Sequence, residues 1–203
     1  VRTGVLVNVA EGPDTGDPSG VVPTQDPFET HFVDLSGLSP DTDYEFEICD
    51  SEDAPAAKAC SPYMYFRTAP ATRKPFTLIA GGDSRRTSSA LFGVNDQARR
   101  RGFELVAKIR PLAVVFSGDF MDEGVYGEWL IWMDEWQLTK SADGRMYPLI
   151  PSHGNHENQD RRMLSKVFGT SDLGAANGWG TFGALSIGGD LMRIFTLNSS
   201  LDP

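Results

Sequence analysis

The sequence predicts an α/β domain built on a parallel sheet, preceded by a segment that is entirely β. Three observations support this fold class. Three apolar runs each end in a short polar motif, and the motifs are spaced roughly one strand–helix–strand unit apart. Segments with helical periodicity lie between those runs. Residues 1–70, in contrast, alternate like short strands separated by turns.

The amino-terminal segment, residues 1–70, reads as a set of short strands. Its Pro-, Gly- and Asp-rich stretches predict loops, the longest of them at 11–27. Apolar alternation predicts strands at 3–10, 31–35, 44–48 and 62–68. A complete two-sheet sandwich needs about seven strands. The segment therefore predicts only part of one.

The two cysteines of the chain flank a stretch rich in Asp, Glu, Pro and Ala. This composition is typical of a hairpin loop, which would place Cys49 and Cys60 on neighbouring strands. A disulfide between them would imply an oxidising compartment, and we therefore expect a secreted or periplasmic protein. Two reduced thiols in a cytosolic hairpin are the alternative.

A linker containing Pro, Lys and Arg, residues 71–75, separates the β segment from the α/β segment, residues 76–203. The α/β segment alternates strands with helices and closes with an antiparallel hairpin. We expect strands at 76–80, 112–116 and 146–150, helices at 91–110, 126–138 and 160–169, and hairpin strands at 182–187 and 191–197.

The predicted helices carry two groups of side chains that invite a ligand-binding interpretation. Trp129, Trp132 and Trp136 could stack on a ligand, but their helical spacing favours packing against the sheet. The run 99–101 is three arginines, which we interpret as the solvated face of the first helix.

Polar side chains follow each strand of the predicted parallel sheet. Asp83 comes after the first strand, Asp119 after the second, and Asn155 and His156 after the third. The carboxyl ends of parallel strands meet at one edge of the sheet, so these side chains should lie together there. Two carboxylates, an amide oxygen and a histidine form a site for a hard cation.

Three motifs, Gly82-Asp83, Gly118-Asp119 and Gly154-Asn155-His156-Glu157, resemble those of the calcineurin-like metallophosphoesterases, the superfamily that includes purple acid phosphatases. The resemblance covers roughly residues 75–200. It implies that 76–203 is the first part of an α/β metallophosphoesterase-type sandwich. The turn at 35–44 and the strand at 66–70 likewise look like a partial, all-β fibronectin type III-like sandwich.

The resemblance implies a role for each site residue. Asp83 would bind a first metal ion, Asp119 would bridge both ions, and Asn155 would bind the second. A metal-activated water would attack the phosphoester while His156 assists the leaving group. The two ions would be iron, manganese or zinc, and a phosphorylated small molecule, first of all a phosphomonoester, would be the substrate.

The chain departs from the family at two places. Arg85 stands where most members have a metal-binding histidine, and arginine cannot ligate a metal. Arg85 could instead grip a substrate phosphate, with Asp122 or a water as the replacement ligand, or it could simply pair with a carboxylate. No histidine follows His156, although the family has later histidine ligands. We therefore expect a fragment of a longer chain whose remaining segments complete the site.

Net charge and the length of the apolar runs restrict the kinds of partner that we expect for this protein. A formal net charge of −10 argues against binding to a nucleic-acid backbone, which requires a basic surface. No apolar run is long enough for a transmembrane helix. The resemblance therefore implies a metal-dependent phosphoester hydrolase that acts on a small substrate. The alternative is a non-catalytic binding or adhesion module that keeps the fold with a degenerate metal site, and Arg85 is the feature that favours it.

Overall fold

The computed structural model of the protein describes residues 33–49, 60–85, 96–122, 126–157, 163–170 and 182–198. The strand predicted at 3–10 and the loop predicted at 11–27 lie outside these ranges. Within the ranges, strands and helices follow one another as β1 (Asp43–Phe46), β2 (Met64–Arg67), β3 (Leu78–Gly81), α1 (Asp96–Ile109), β4 (Ala113–Phe116), α2 (Tyr126–Trp136) with a 3₁₀ turn (Gln137–Thr139), β5 (Leu149–Pro151), α3 (Met163–Phe168), β6 (Gly183–Ile187) and β7 (Met192–Thr196).

β1 and β2 form an antiparallel hairpin in which Tyr44 is paired with Phe66. Their rings are stacked, with centroids 5.9 Å apart, which is the kind of cross-strand aromatic pair that stabilises a hairpin. The strand predicted at 31–35 is wrong for its described part, since Val33 and Leu35 lie outside any strand and are exposed. Alternation favours a strand only where one face is buried, and these side chains have no such cover.

The hairpin is closed by a disulfide between Cys49 and Cys60, whose Cα atoms are 4.0 Å apart. The two residues also form an isolated antiparallel bridge. The expected pairing of the cysteines is therefore confirmed, and the alternative of reduced thiols is wrong.

β3, β4 and β5 form a parallel sheet in that order. Val114 of β4 pairs with Ile79 on one side and with Leu149 on the other, which makes β4 the central strand. Three of its four residues are buried, in keeping with its uninterrupted apolar sequence. The three strands confirm the expected parallel arrangement, with boundaries shifted by one to three residues.

α1 packs against the sheet through Phe103 and Val106, both buried. It ends where Arg110 takes a left-handed conformation, with φ of 57°, while its N–H donates to the carbonyl of Val106 at 3.0 Å. Pro111 follows and cannot continue the helix. Ile109, the last residue of the helix, is exposed.

The main core lies between α2 and the carboxyl end of β4. Trp129 and Trp132 are buried against Phe116 and Phe120, and the ring centroids of Phe120 and Trp132 are 5.0 Å apart. The tryptophans therefore pack in the core, as their helical spacing predicted. Because Phe120 immediately follows Asp119, this aromatic cluster also supports the loop that carries the candidate ligand.

The interpretation of residues 99–101 as a solvated face is wrong for Arg99. Its guanidinium is buried and forms an ion pair with the buried carboxylate of Glu135 on α2. Another of its nitrogens donates to the carbonyl oxygen of Ser84 at 3.1 Å. A buried charge is tolerated when it is paired and hydrogen-bonded, and both partners come from other parts of the chain. Arg100 and Arg101 are exposed, as predicted.

β6 and β7 pair in antiparallel register, as predicted, with a turn in which Gly188 and Gly189 have positive φ. Ile187 at the end of β6 is buried against Ala113 and Ile150 of the parallel sheet. In the described part of the chain, no helix is both long and apolar enough to cross a membrane.

The β1–β2 hairpin contacts the α/β segment through Tyr65. Its backbone accepts a hydrogen bond from the N–H of Met146 and donates one to the carbonyl of Gly144. Its hydroxyl donates to Asp143 at 2.6 Å, and Asp143 is held by both terminal nitrogens of Arg110. The hairpin is therefore fastened to the loop that precedes β5 by backbone and side-chain bonds.

Candidate metal centre at the carboxyl edge of the sheet

The carboxyl edge of the parallel sheet holds one cavity of about 240 Å³. Asp83 follows β3, Asp119 follows β4, and Asn155 follows β5. All three line this cavity, together with Ser117, Gly118, His153, Gly154 and Leu197. The structure therefore brings together the three residues that the sequence proposes as metal ligands.

The two aspartates project from strained turns. Asp83 and Asp119 have φ of 51° and 56°, in the left-handed region that only a few residue types tolerate. The turns are bonded to each other, since the N–H of Asp83 donates to the carbonyl of Gly118 at 2.9 Å and the N–H of Ser84 donates to that of Asp119 at 3.0 Å. Backbone strain of this kind persists where surrounding contacts over-determine it, commonly at functional sites.

Glycine is required where the second and third motifs meet. Gly118 has φ of +95°, and a Cβ there would collide with the backbone of Gly154. A Cβ on Gly154 would in turn overlap the carboxylate and backbone nitrogen of Asp119. The absence of both side chains lets the two loops approach closely enough to present Asp119 and Asn155 to the same cavity.

The side chain of Glu157 joins the two loops at this junction. Its carboxylate is 1% exposed and accepts backbone N–H bonds from Asp119 at 2.9 Å, Phe120 at 2.9 Å and Gly154 at 2.8 Å. Burial raises the pKa of Glu157, while these three donors act in the opposite direction. In the sequence, Glu157 stands out only as the last residue of the third motif. Its position two residues after Asn155 is the only signal in the sequence that it belongs to the site.

Arg85 does not line the cavity, but its guanidinium contacts the two aspartates that do. Its Nε donates to Oδ1 of Asp83 at 2.8 Å and lies 3.9 Å from Oδ2 of Asp119. Its Nη1 lies 3.6 Å from Oδ1 of Asp122 and contacts Nε2 of His156. The hydrogen bond to Asp83 is the main cause of a raised pKa for Arg85. The guanidinium therefore stays charged within this group.

The contacts of His156 determine which ring nitrogen carries the proton. Nη1 of Arg85 can only donate, so Nε2 of His156 accepts. Nδ1 then carries the hydrogen and donates to the carbonyl oxygen of Asp122 at 2.7 Å. The backbone N–H of His156 donates to Oδ1 of Asp119 at 3.1 Å. These contacts fix the orientation of the imidazole, one residue from the cavity.

His153 adds a histidine to the cavity beside the three proposed ligands. It is buried and lines the same cavity as Asn155. Its Nδ1 lies 2.9 Å from the carbonyl oxygen of Gly154 and 3.0 Å from Nδ2 of Asn198. Leu197 and Asn198 directly follow β7, and neither belongs to a motif in the sequence.

The first motif is supported from behind by the two helices. The hydroxyl of Ser84 accepts a hydrogen bond from the indole nitrogen of Trp132 at 2.9 Å, and its carbonyl accepts the bond from Arg99 described above. Ser84 itself is buried. Because Ser84 lies between Asp83 and Arg85, these bonds fix the backbone from which both side chains project.

The donor set on the cavity side fits a hard metal ion. Asp119 and Asn155 provide carboxylate and amide oxygens, Asp83 adds a second carboxylate, and the glycine junction leaves the space for a close approach. The side that faces Arg85 does not fit a second ion, because a cation already lies there. A separate grouping of Glu47 with Cys49 and Cys60 offers no thiolate, since the two sulfurs are bonded to each other.

No family model and no curated protein sequence matches this chain. The resemblance to calcineurin-like metallophosphoesterases therefore stays a prediction from the motifs.

Proposed function

We propose that this chain carries the metal-binding part of a phosphoester hydrolase, with a phosphorylated small molecule, first of all a phosphomonoester, as its substrate. The observation that supports the proposal is the convergence of Asp83, Asp119 and Asn155 on one cavity at the carboxyl edge of a parallel sheet. Three polar side chains from three separate strands seldom share a cavity for structural reasons alone, and this edge is where α/β folds bind their ligands.

The proposed ligands are oxygen donors of these three residues, and the metal is iron, manganese or zinc. The motif resemblance predicts two ions, which stays a prediction. When bound, such an ion supplies a Lewis acid that polarises a phosphoryl oxygen and activates water near neutral pH. Asp119 is the central ligand in this scheme, because it follows the central strand β4, between Asp83 after β3 and Asn155 after β5.

His156 is proposed to assist the leaving group. In the tautomer held by the carbonyl of Asp122, its Nδ1 carries the hydrogen and its Nε2 faces Arg85. Assistance at Nε2 requires the ring to take up a proton there from solvent and to give it to the leaving oxygen. The contact from Nη1 of Arg85 must lengthen for that proton to bind, while Nε keeps its hydrogen bond to Asp83. Nη1 can then grip the substrate phosphate, as proposed for Arg85.

A secreted or periplasmic location is proposed on the strength of the Cys49–Cys60 disulfide, since such bonds persist in oxidising compartments. The acidic net charge supports a small phosphorylated substrate over a nucleic acid.

One observation favours the alternative, a binding or adhesion module with a degenerate metal site. Arg85 neutralises Asp83, one of the proposed ligands, by a direct hydrogen bond. The hydrolase is favoured by the presence of His156 next to the proposed ligands Asp119 and Asn155. A module that only binds has no use for a histidine oriented beside a metal ligand.

The test is hydrolysis of p-nitrophenyl phosphate by the full-length protein, including any segments beyond this chain, after loading with manganese, iron or zinc. We expect turnover that Asp119→Asn lowers by 10²-fold or more, as is common for loss of one metal-organising or charge-stabilising group. Asp190→Asn, at an exposed position on the β6–β7 turn, is the control and should leave the rate unchanged. Absence of turnover with every metal, or an equal rate in Asp119→Asn, would reject the hydrolase in favour of the binding module.

A further inference from the structure

Three carboxylates and one imidazole surround the guanidinium of Arg85. Asp83 accepts its Nε–H, Asp119 lies 3.9 Å from the same nitrogen, and Asp122 lies 3.6 Å from Nη1. Only a fifth of the Arg85 side chain is exposed. Long arginine side chains at a surface usually extend into solvent, so the burial of this one within an acidic group needs an explanation.

The charges within this group limit how many metal ions can be added. The aspartates bring three negative charges and Arg85 brings one positive charge, which leaves a formal excess of two negative charges. A single divalent ion balances that excess. An ion bound between Asp83 and Asp119 on the Arg85 side would lie within a few ångströms of the guanidinium, where like charges repel strongly because solvent screens them poorly.

The cavity and the guanidinium share Asp83 and Asp119 but differ in their other neighbours. The cavity is lined by Asp83, Asp119 and Asn155 but not by Arg85, so one ion can bind there without displacing the guanidinium. On the other side, Nη1 contacts Nε2 of His156 and Nε holds Oδ1 of Asp83. The guanidinium thus lies against the same Asp83 and Asp119 carboxylates that a second ion would need.

We propose that Arg85 takes the place of one of the two metal ions, so that the site binds a single ion on its cavity side. The inference rests on the proposed function. It replaces a site with two metal ions by a site with one. Arg85 supplies a fixed positive charge that needs no loading and that cannot be removed by a chelator. It also orients His156 through the contact at Nε2.

The experiment is the metal content of the full chain, by elemental analysis after loading with manganese, iron or zinc and removal of unbound ions. We expect one ion per chain for the natural sequence. Arg85→His removes the guanidinium and adds a nitrogen that can bind a metal. The metal content of this variant should therefore rise to two ions per chain. Arg85→Lys keeps the charge and should stay at one. Arg193→Ala, which removes a cation from β7, is the matched control and should also stay at one.

Isothermal titration with Mn²⁺ gives the stoichiometry of the natural chain without any variant, so the inference can be tested even if Arg85→His does not fold. Two ions in the natural chain would overturn the inference and leave the proposed hydrolase in place. One ion in a folded Arg85→His variant would also overturn it, because removal of the guanidinium would then have opened no position. No ion in the natural chain would overturn both the inference and the metal-dependent function.

Discussion

The carboxylate of Glu157 accepts the backbone N–H of Asp119 at 2.9 Å, which joins the third motif to the second beneath the candidate metal centre. The same carboxylate holds Phe120 and Gly154. One buried side chain therefore satisfies three backbone donors on two loops, and it orders the two loops relative to each other. The loops would otherwise carry unpaired N–H groups at a junction that only glycines can occupy.

Glu157→Gln should lower the free energy of unfolding by about 1–3 kcal/mol, because one backbone donor would then face an amide that also donates. Glu157→Ala should cost more, since all three donors lose their partner. Urea unfolding measures both variants. Glu104→Ala, on the exposed surface of α1, is the control and should lie within about 0.5 kcal/mol of the natural chain. Equal stability of Glu157→Gln and the control would show that the three bonds contribute little.

Glu135→Ala should destabilise the protein by about 3–5 kcal/mol, because it leaves the guanidinium of Arg99 buried without its ion-pair partner. The neighbouring Asp134→Ala, exposed on the same helix, is the matched control. Replacing both partners with apolar residues, Arg99→Met with Glu135→Leu, should recover most of the loss. A double variant as unstable as Glu135→Ala would mean that the bond from Arg99 to Ser84, and not the buried charge, dominates.

Loss of the disulfide should lower the free energy of unfolding by about 3 kcal/mol, since Cys49 and Cys60 close a loop with a sequence separation of 11. Unfolding in urea with and without a reducing agent measures the difference. The double variant Cys49→Ala with Cys60→Ala is the control, because a reducing agent should not change its midpoint. A natural chain that is equally stable in both conditions would contradict the expected contribution.

The lowered pKa of Asp143 leads us to expect that the protein becomes less stable in acid. The hydrogen bonds from Arg110, followed by that from Tyr65, hold the pKa of Asp143 well below its ordinary value of 3.8. Since the folded-state pKa is the lower one, its contribution is present above pH 3.8 and is lost as the pH falls through the folded-state pKa. Asp143→Asn should therefore flatten the decline of stability between roughly pH 5 and pH 2.

Unfolding midpoints of the natural chain and of Asp143→Asn, compared across that pH range, measure this effect. Asp190→Asn on the β6–β7 turn should retain the slope of the natural chain. Identical slopes for all three proteins would show that the bonds among Asp143, Arg110 and Tyr65 do not contribute to the acid sensitivity.

The sequence by itself determined the order of strands and helices in the described α/β part, because hydrophobic periodicity depends on neighbouring residues alone. It also determined which residues end the strands, since Gly82-Asp83, Gly118-Asp119 and Gly154-Asn155 each follow an apolar run. The buried state of Trp129 and Trp132 followed from their helical spacing in the same way.

Tertiary structure decided the features that depend on residues distant in the chain. Arg99 belongs to a run of arginines that reads as solvated, and only the approach of Glu135 from α2 makes its burial possible. The sequence allowed Arg85 to pair with a carboxylate, but only the fold brings Asp119 and Asp122, from the loop after β4, to it beside the nearby Asp83. Glu157 likewise finds Asp119 and Phe120 only through the fold. The reason is physical: local periodicity sets which face of an element is apolar, whereas the partners of a buried charge are chosen by packing between elements.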